Sequence, residues 1–239
     1  MFEREARWIA DRLASYPTPL LSPLLNVGSG TGAFRETVQP WIGRDLLAPL
    51  AARGIEIVHL DARPMDGSGD GSGDSPADGI DIRADLLRDA DFDRVAAARR
   101  YAALLCCNVL EHVRDPGEFA RRCAMLVRPG GLIVVTVPRS YPHHADPIDT
   151  LYRPTPEEAA VLFPGSAPVA AEIIDVGSSY RDEIRRRPWL LLRHLLRLPA
   201  PFLGLAKWRN SMAKPYWLFN NYQVSAAVLR REDAPSVSG

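Results

Sequence analysis

Lysine is nearly missing from this chain. Only Lys207 and Lys214 stand among its 29 basic residues, and 29 acidic residues balance them. With no net charge there is no global field of the kind that gathers nucleic acid, so no nucleic-acid partner is expected. Three cysteines in 239 residues are too few for a disulfide framework, and the neighbours Cys106 and Cys107 point to opposite faces of any strand. No metal-type spacing is present, so the expectation is a reducing, cytoplasmic setting and no bound metal. No uninterrupted apolar run reaches membrane-spanning length. The first residues, with Glu3, Arg4, Glu5 and Arg7 ahead of Trp8 and Ile9, lack the apolar centre of a secretion signal.

What is present is apolar residue enough, 46% of the chain, to bury a sizeable core. The organising stretch is Leu24–Phe34. Leu24–Val27 reads as a short strand, Gly28-Ser29-Gly30-Thr31-Gly32 as a turn, and Ala33 onward as a helix. Glycine at alternate positions lets the main chain approach a ligand without Cβ atoms in the way. The amides of the following helix start make that end electropositive. A dinucleotide fold needs G-x-G-x-x-G, and here the third glycine comes one residue early. A P-loop needs a Gly-Lys-Ser/Thr ending, and no lysine follows.

The remaining elements fall in alternation. Residues 2–15 form an amphipathic helix on Phe2, Trp8, Ile9 and Leu13, stopped by Pro17 and Pro19. After a helical stretch broken near Pro40, Ile55–Asp61 is a strand closing on a carboxylate, where a ribose diol can be held. Gly67–Asp74 is a tandem Gly-Ser-Gly-Asp repeat, read as a mobile loop; it fits no established calcium-loop spacing. Gly79–Leu86 alternates like a third strand. Tyr101–Asn108 is nearly continuously apolar, as a central parallel strand should be, and Leu132–Pro138 is a fifth strand. Strand–helix alternation of this kind is an open α/β sheet.

Several motifs, in this order, carry a family resemblance. The Gly28–Gly32 turn, Leu110-Glu111-His112 after strand four, Pro129-Gly130-Gly131 before strand five, and the loop from His143 to Glu158 resemble the class I S-adenosylmethionine-dependent methyltransferases. The last of these, with His144, Asp146, Pro147, Asp149 and Arg153-Pro154-Thr155-Pro156-Glu157-Glu158, is similar to a bacterial subgroup of that family. Thr155 and Glu158 also form a capping box. The resemblance covers about residues 20–163. It implies a Rossmann-like sheet of seven mostly parallel strands with helices on both faces, as a single domain. That domain would have an N-terminal helix at 2–15, a helical insertion at about 181–218, a last strand at about 222–230 and a disordered tail at 232–239.

For the cofactor, S-adenosyl-L-methionine, the resemblance implies Asn26, Gly28, Ser29, Gly30, Gly32, Asp61, Asp85, Leu86 and Asn108. Asn26 departs from the pattern, since the family usually has Asp or Glu there. Activating a hydroxyl acceptor needs a base, and His112, His143, His144 and Asp146 are the candidates. The expected acceptor is a small molecule or a lipid- or sugar-linked group. Two readings of another class stay open: an adenosyl-binding scaffold without turnover, and an NAD-dependent oxidoreductase. Residues 185–208, leucine-rich and framed by arginine and tryptophan, fit either a lid or homodimer contact or a helix lying on the inner face of a membrane.

Overall fold

Tyr101–Cys107 (β4) is the middle strand of a seven-stranded sheet, and its burial accounts for its composition. The computed structural model describes residues 1–62, 78–144, 148–197 and 205–232, without the side chains at 194, 195, 197, 206 and 207. The Gly67–Asp74 repeat, Asp146 and the tail from 233 lie outside the described residues.

The other strands are Leu24–Val27 (β1), Ile57–Asp61 (β2), Ile82–Arg83 (β3), Val127–Ser140 (β5), Ser166–Asp175 (β6) and Gln223–Arg231 (β7). Their order is β3-β2-β1-β4-β5-β7-β6. Strands β1 to β5 pair in parallel, while β7 runs antiparallel to both β5 and β6.

Alternation along β4 divides the core. Leu104 and Cys106 face one cluster, with Phe92 and Val95 of Asp89–Ala98 (α3), Phe119 and Cys123 of Pro116–Leu126 (α4), and Ala159 of Pro156–Val161 (α5). Ala103 and Leu105 face the other, with Ile9 and Leu13 of Glu3–Ala14 (α1) and the helical run 42–52, whose last turn is Ala48–Ala52 (α2). Helices therefore cover both faces, as a parallel sheet requires.

Some boundaries differ from the sequence reading. The third strand shrinks to two residues, because Asp85 Oδ1 accepts from the Leu87 amide (3.0 Å) and bends the chain into a turn. Helix α3 has little signal in the sequence; its short stripe, Phe92 and Val95, is hidden among charges. Strand five starts at Val127 and carries Pro129-Gly130-Gly131 as an irregularity within it. Gly131 has no room for a side chain: a Cβ would lie 2.6 Å from Ala102 O. Glu232, expected in a loose tail, donates its amide to Gly165 O. The 181–218 insertion comprises Tyr180–Arg186 (α6), Trp189–Arg197 (α7), Leu205–Ala213 (α8) and a turn at Lys214–Leu218. No helix among the described residues is long and apolar enough to cross a membrane.

Candidate functional site

The register gathers the predicted strand tips. Val27 pairs with Leu60 and Cys106, and Asp61 pairs with Arg83. Gly28, Asp61, Asp85 and Asn108 thus lie within two residues of one line across four adjacent strands, a span of roughly 14 Å at the usual strand spacing.

Gly28 and Gly30 both take the left-handed conformation, φ 64° and 63°. A Cβ on Gly28 would meet Val109 Cγ2 at 2.5 Å, and one on Gly30 would meet Phe34 Cδ1 at 2.8 Å. Gly32 is different: the nearest atom to its Cβ position is Asp78 O at 3.5 Å, an ordinary contact. The first two glycines are therefore demanded by the fold itself. The third is bare without a steric reason inside the chain. The Gly30 amide donates to Asp61 Oδ2 (2.7 Å). From behind, buried Arg35 donates to Gly30 O (2.5 Å), Ser29 O (3.3 Å) and Gly79 O (2.6 Å). A bare main-chain turn with a carboxylate at its mouth and a guanidinium at its back fits the cradle expected of an adenosyl ligand.

The other predicted contacts are more varied. Ser29 turns inward, its amide on Leu60 O (3.1 Å) and its hydroxyl on Gly30 O (3.0 Å). Leu86 buries its side chain in the core. Asp85 accepts from Leu87 N and its own amide donates to Asp91 Oδ2 (3.1 Å). The Asn26 amide nitrogen lies 3.2 Å from His59 Nδ1. That nitrogen only donates, so Nδ1 carries the lone pair and His59 is neutral. Burial chiefly, with the nearby Arg35 charge, pushes the His59 pKa down to about 4. Asn108 sits at φ 52° and gives its amide to Glu5 Oε1 (2.7 Å).

Glu5 belongs to α1 and is fully buried. Besides Asn108, its Oε1 accepts from Thr136 Oγ1 (2.6 Å), the β5 residue paired with the last residue of β4, and its Oε2 accepts from Phe2 N (2.9 Å). The N-terminal helix is thus pinned by a carboxylate to the residue after β4 and to β5 beside it.

Beyond Asn108 the chain makes a short turn, Leu110–His112. Glu111 is 1% exposed, and burial pushes its carboxyl up to about 8. Its carbonyl accepts from Thr150 N (2.9 Å) and Thr150 Oγ1 (3.1 Å), which folds the loop after β5 back over this turn. In that loop Asp149 has no exposed side-chain surface. Burial works against its charge, but Arg153 (2.6 Å) and the amides of His144 and Leu151 outweigh burial and hold its carboxyl down at about 2. Leu151 carries backbone strain in return, at φ 60°.

Two predicted bases meet here. The rings of His112 and His144 stand edge to face, centroids 5.1 Å apart. One nitrogen of each ring and a Glu111 oxygen lie within 4.8 Å of one another. His143, half-buried, is not a member of this group, and Asp146 lies outside the described residues. The sequence reading missed Glu5, Arg35, Glu111 and Asp149. Of these Glu111 and Asp149 had a signal, since Glu111 lies within the Leu110-Glu111-His112 motif and Asp149 within the motif of the loop after strand five.

Comparisons with known proteins bear on the family and the fold. The family described as "Methyltransferase domain" matches residues 1–178. A "Ubiquinone biosynthesis O-methyltransferase" from Caulobacter vibrioides is 32% identical over 132 residues, covering 54% of this chain and 46% of that protein. The chain thus matches about half the length of such curated relatives. Among solved structures, the [4+2]-cyclase SpnF aligns with a TM-score of 0.55 at 15% identity, over 97% of this chain and 82% of its own. A putative sarcosine dimethylglycine methyltransferase from Galdieria sulphuraria aligns with a TM-score of 0.53 at 15% identity, over 97% and 85%. At such identities the two structures speak for the fold alone.

Proposed function

The chain belongs to the methyltransferase-domain family, and on that premise we propose that it transfers a methyl group from S-adenosylmethionine to a hydroxyl of a small-molecule or lipid-linked acceptor. When bound, S-adenosylmethionine supplies the electrophilic methyl group, so the protein has no reactive centre of its own to build. The chain has to bind, align and keep water away. The Gly28–Gly30 turn offers bare main chain, and Asp61, which braces the Gly30 amide, lies where a ribose diol would be held. Glu5, buried at the β4 end, favours a cationic ligand there, and Glu111 joins it once a cation offsets the burial that holds its carboxyl up at about 8. His112 and His144 are the groups to take up the acceptor's hydroxyl proton.

One observation carries this reading. The Asp61-braced glycine turn and the Glu111–His112–His144 group follow adjacent strands, β1 and β4, at the same sheet edge. The test is calorimetric titration with S-adenosylhomocysteine, followed by transfer of labelled methyl groups from S-adenosylmethionine into a cell extract fractionated into lipid and aqueous pools. Label in either pool supports the reading. Binding without transfer identifies the scaffold alternative, and no binding at millimolar ligand removes both.

The lipid-linked option has its own support. From Ile184 to Leu218 there are eight Lys or Arg and no Asp or Glu, so the remainder of this neutral chain carries the opposite excess. On α7, Trp189, Leu192 and Leu196 share one stripe and are each more than half exposed, while Leu190 anchors the helix inward. Basic and apolar together, that face suits an anionic bilayer surface. Co-sedimentation with phosphatidylglycerol vesicles, but not with phosphatidylcholine, is the expected result. A mass that doubles with concentration, without vesicle binding, would assign the face to a homodimer instead.

A further inference from the structure

We propose that Glu111, His112 and His144 form a binding site for a divalent transition-metal ion, with Zn2+ the best match and at least one coordination position open to a ligand oxygen. The linear sequence does not display such a site, because a neighbouring pair and a residue some thirty positions later match no metal spacing. The fold brings them together.

Three observations carry the assignment. First, the donor set is one carboxylate and two imidazoles, the combination found at catalytic metal centres that keep a position free. A Glu111 oxygen and His112 Nε2 are 3.7 Å apart, close to the ligand-to-ligand separation around one small cation. Second, both rings are oriented from behind. His112 Nδ1 donates to the carbonyl of Ile148, an atom that only accepts, which leaves Nε2 as the lone-pair nitrogen. His144 Nδ1 lies 3.0 Å from Asp149 Oδ2, within ion-pair reach though not aligned as a hydrogen bond, and Arg153 fixes that carboxylate in turn. A backbone carbonyl behind one histidine and a carboxylate behind the other are the usual supports of metal-ligating imidazoles. Third, Glu111 Oε2, the partner of the Oε1 that lies 3.7 Å from His112 Nε2, is buried without a hydrogen bond, and so is His144 Nδ1. Orphaned buried polar atoms are rare enough to need a reason, and a bound cation supplies one for the carboxylate.

What the ion would do rests on the methyl-transfer reading above. The acceptor's hydroxyl oxygen would occupy the open position, where the ion's charge eases loss of its proton to solvent water. The oxygen lone pair then forms the new O–CH3 bond, and the pair of the breaking C–S bond goes to sulfur, leaving neutral S-adenosylhomocysteine. The histidines in this case hold the metal instead of acting as free bases.

The experiment uses the whole chain, untagged and metal-stripped, titrated calorimetrically with ZnCl2, and with CoCl2 under a visible-absorption readout. One equivalent should bind with micromolar affinity or better, and the cobalt spectrum should lack intense thiolate charge transfer, which excludes the cysteines. Glu111→Gln and His144→Asn should each weaken binding at least about ten-fold, while His143→Asn should not. His144 is on a half-exposed loop, so its variant remains informative if Glu111→Gln fails to fold. Absence of stoichiometric binding, or binding indifferent to both variants, overturns the site. S-adenosylhomocysteine binding is followed in the same samples. If it persists while metal binding fails, the metal site alone is refuted; if it fails in the wild type, the methyl-transfer reading falls instead.

Discussion

The three glycines of the turn should part company under substitution. Placing a Cβ on Gly28 forces an L-residue into φ 64°, which costs about 1–2 kcal/mol. It also drives that carbon to 2.5 Å from Val109 Cγ2, and moving the valine off its rotamer adds about 1 kcal/mol. Gly28→Ala should therefore lose about 2–3 kcal/mol, a fall in Tm of roughly 5–10 °C for a chain of this size, while remaining folded. Gly30→Ala should lose a similar amount, with Phe34 as the obstructing side chain. Gly32 lies in the first turn of a helix, and a Cβ there would make only ordinary contacts with Asp78 and Gly79. Gly32→Ala should leave stability unchanged or raise it by about 0.5 kcal/mol. If Gly32 is bare because a ligand approaches it, the same substitution should weaken S-adenosylhomocysteine binding at least about ten-fold, which is about 1.4 kcal/mol. Urea denaturation and calorimetry on the same three proteins separate the two effects. A Gly32→Ala protein that binds as well as wild type would remove Gly32 from the cradle, and a Gly28→Ala protein of full stability would refute the steric argument.

Asp61→Asn keeps an acceptor for the Gly30 amide but removes the charge; a stability loss of about 1 kcal/mol should accompany a larger fall in S-adenosylhomocysteine affinity, measured by calorimetry. Glu5→Gln sets an amide against the Asn108 amide and the Thr136 hydroxyl, so about 1.5–3 kcal/mol should be lost; urea melts check this, and a Thr136→Val double-mutant cycle should show coupling between the two sites. His59, with a pKa of about 4 in the fold against an ordinary value near 6.5, resists a proton that the unfolded chain accepts. Its contribution is complete above about pH 6.5 and is lost as pH falls toward 4, by at most about 1.4 kcal/mol per pH unit. The carboxylates add their own acid dependence, so the quantity to measure is the difference between wild type and His59→Gln over pH 7 to 4.5; parallel curves would show that His59 is not held neutral.

The sequence is most legible where local pattern and burial agree. The apolar run Tyr101–Cys107 suits a strand covered on both faces, and Asp61 and the glycine turn follow as its neighbours' tips. Thr155 and Glu158 announce a helix start, and both halves of the capping box are formed. Legibility fails where a polar side chain finds its partner far along the chain. Glu5 reads as a solvated acid in a first helical turn, yet its partners Asn108 and Thr136 are 103 and 131 residues away. Arg35 looks like any helix-surface arginine until Gly79 O and the turn carbonyls are seen around it. The pairing of Glu111 with His144 depends on Thr150 folding the loop back, which no spacing rule encodes.

Asn26 is the reverse case, a residue that looks like a defect in the sequence and has a partner in the fold. Where the family usually places a charge, this chain places an amide, and that alone suggests a weakened hold on a cationic ligand. In the structure the amide bonds to His59 across β1 and β2, at paired positions in the ladder. An aspartate in its place would draw a proton onto a half-buried imidazole that already lies in the field of the Arg35 guanidinium. Negative charge at this edge comes instead from two other elements, Asp61 at the end of β2 and Glu5 on α1, while Glu111 after β4, its carboxyl pushed up to about 8 by burial, adds charge only when a cation is there to offset that burial. The amide at Asn26 therefore does not strip this edge of charge for a cationic ligand.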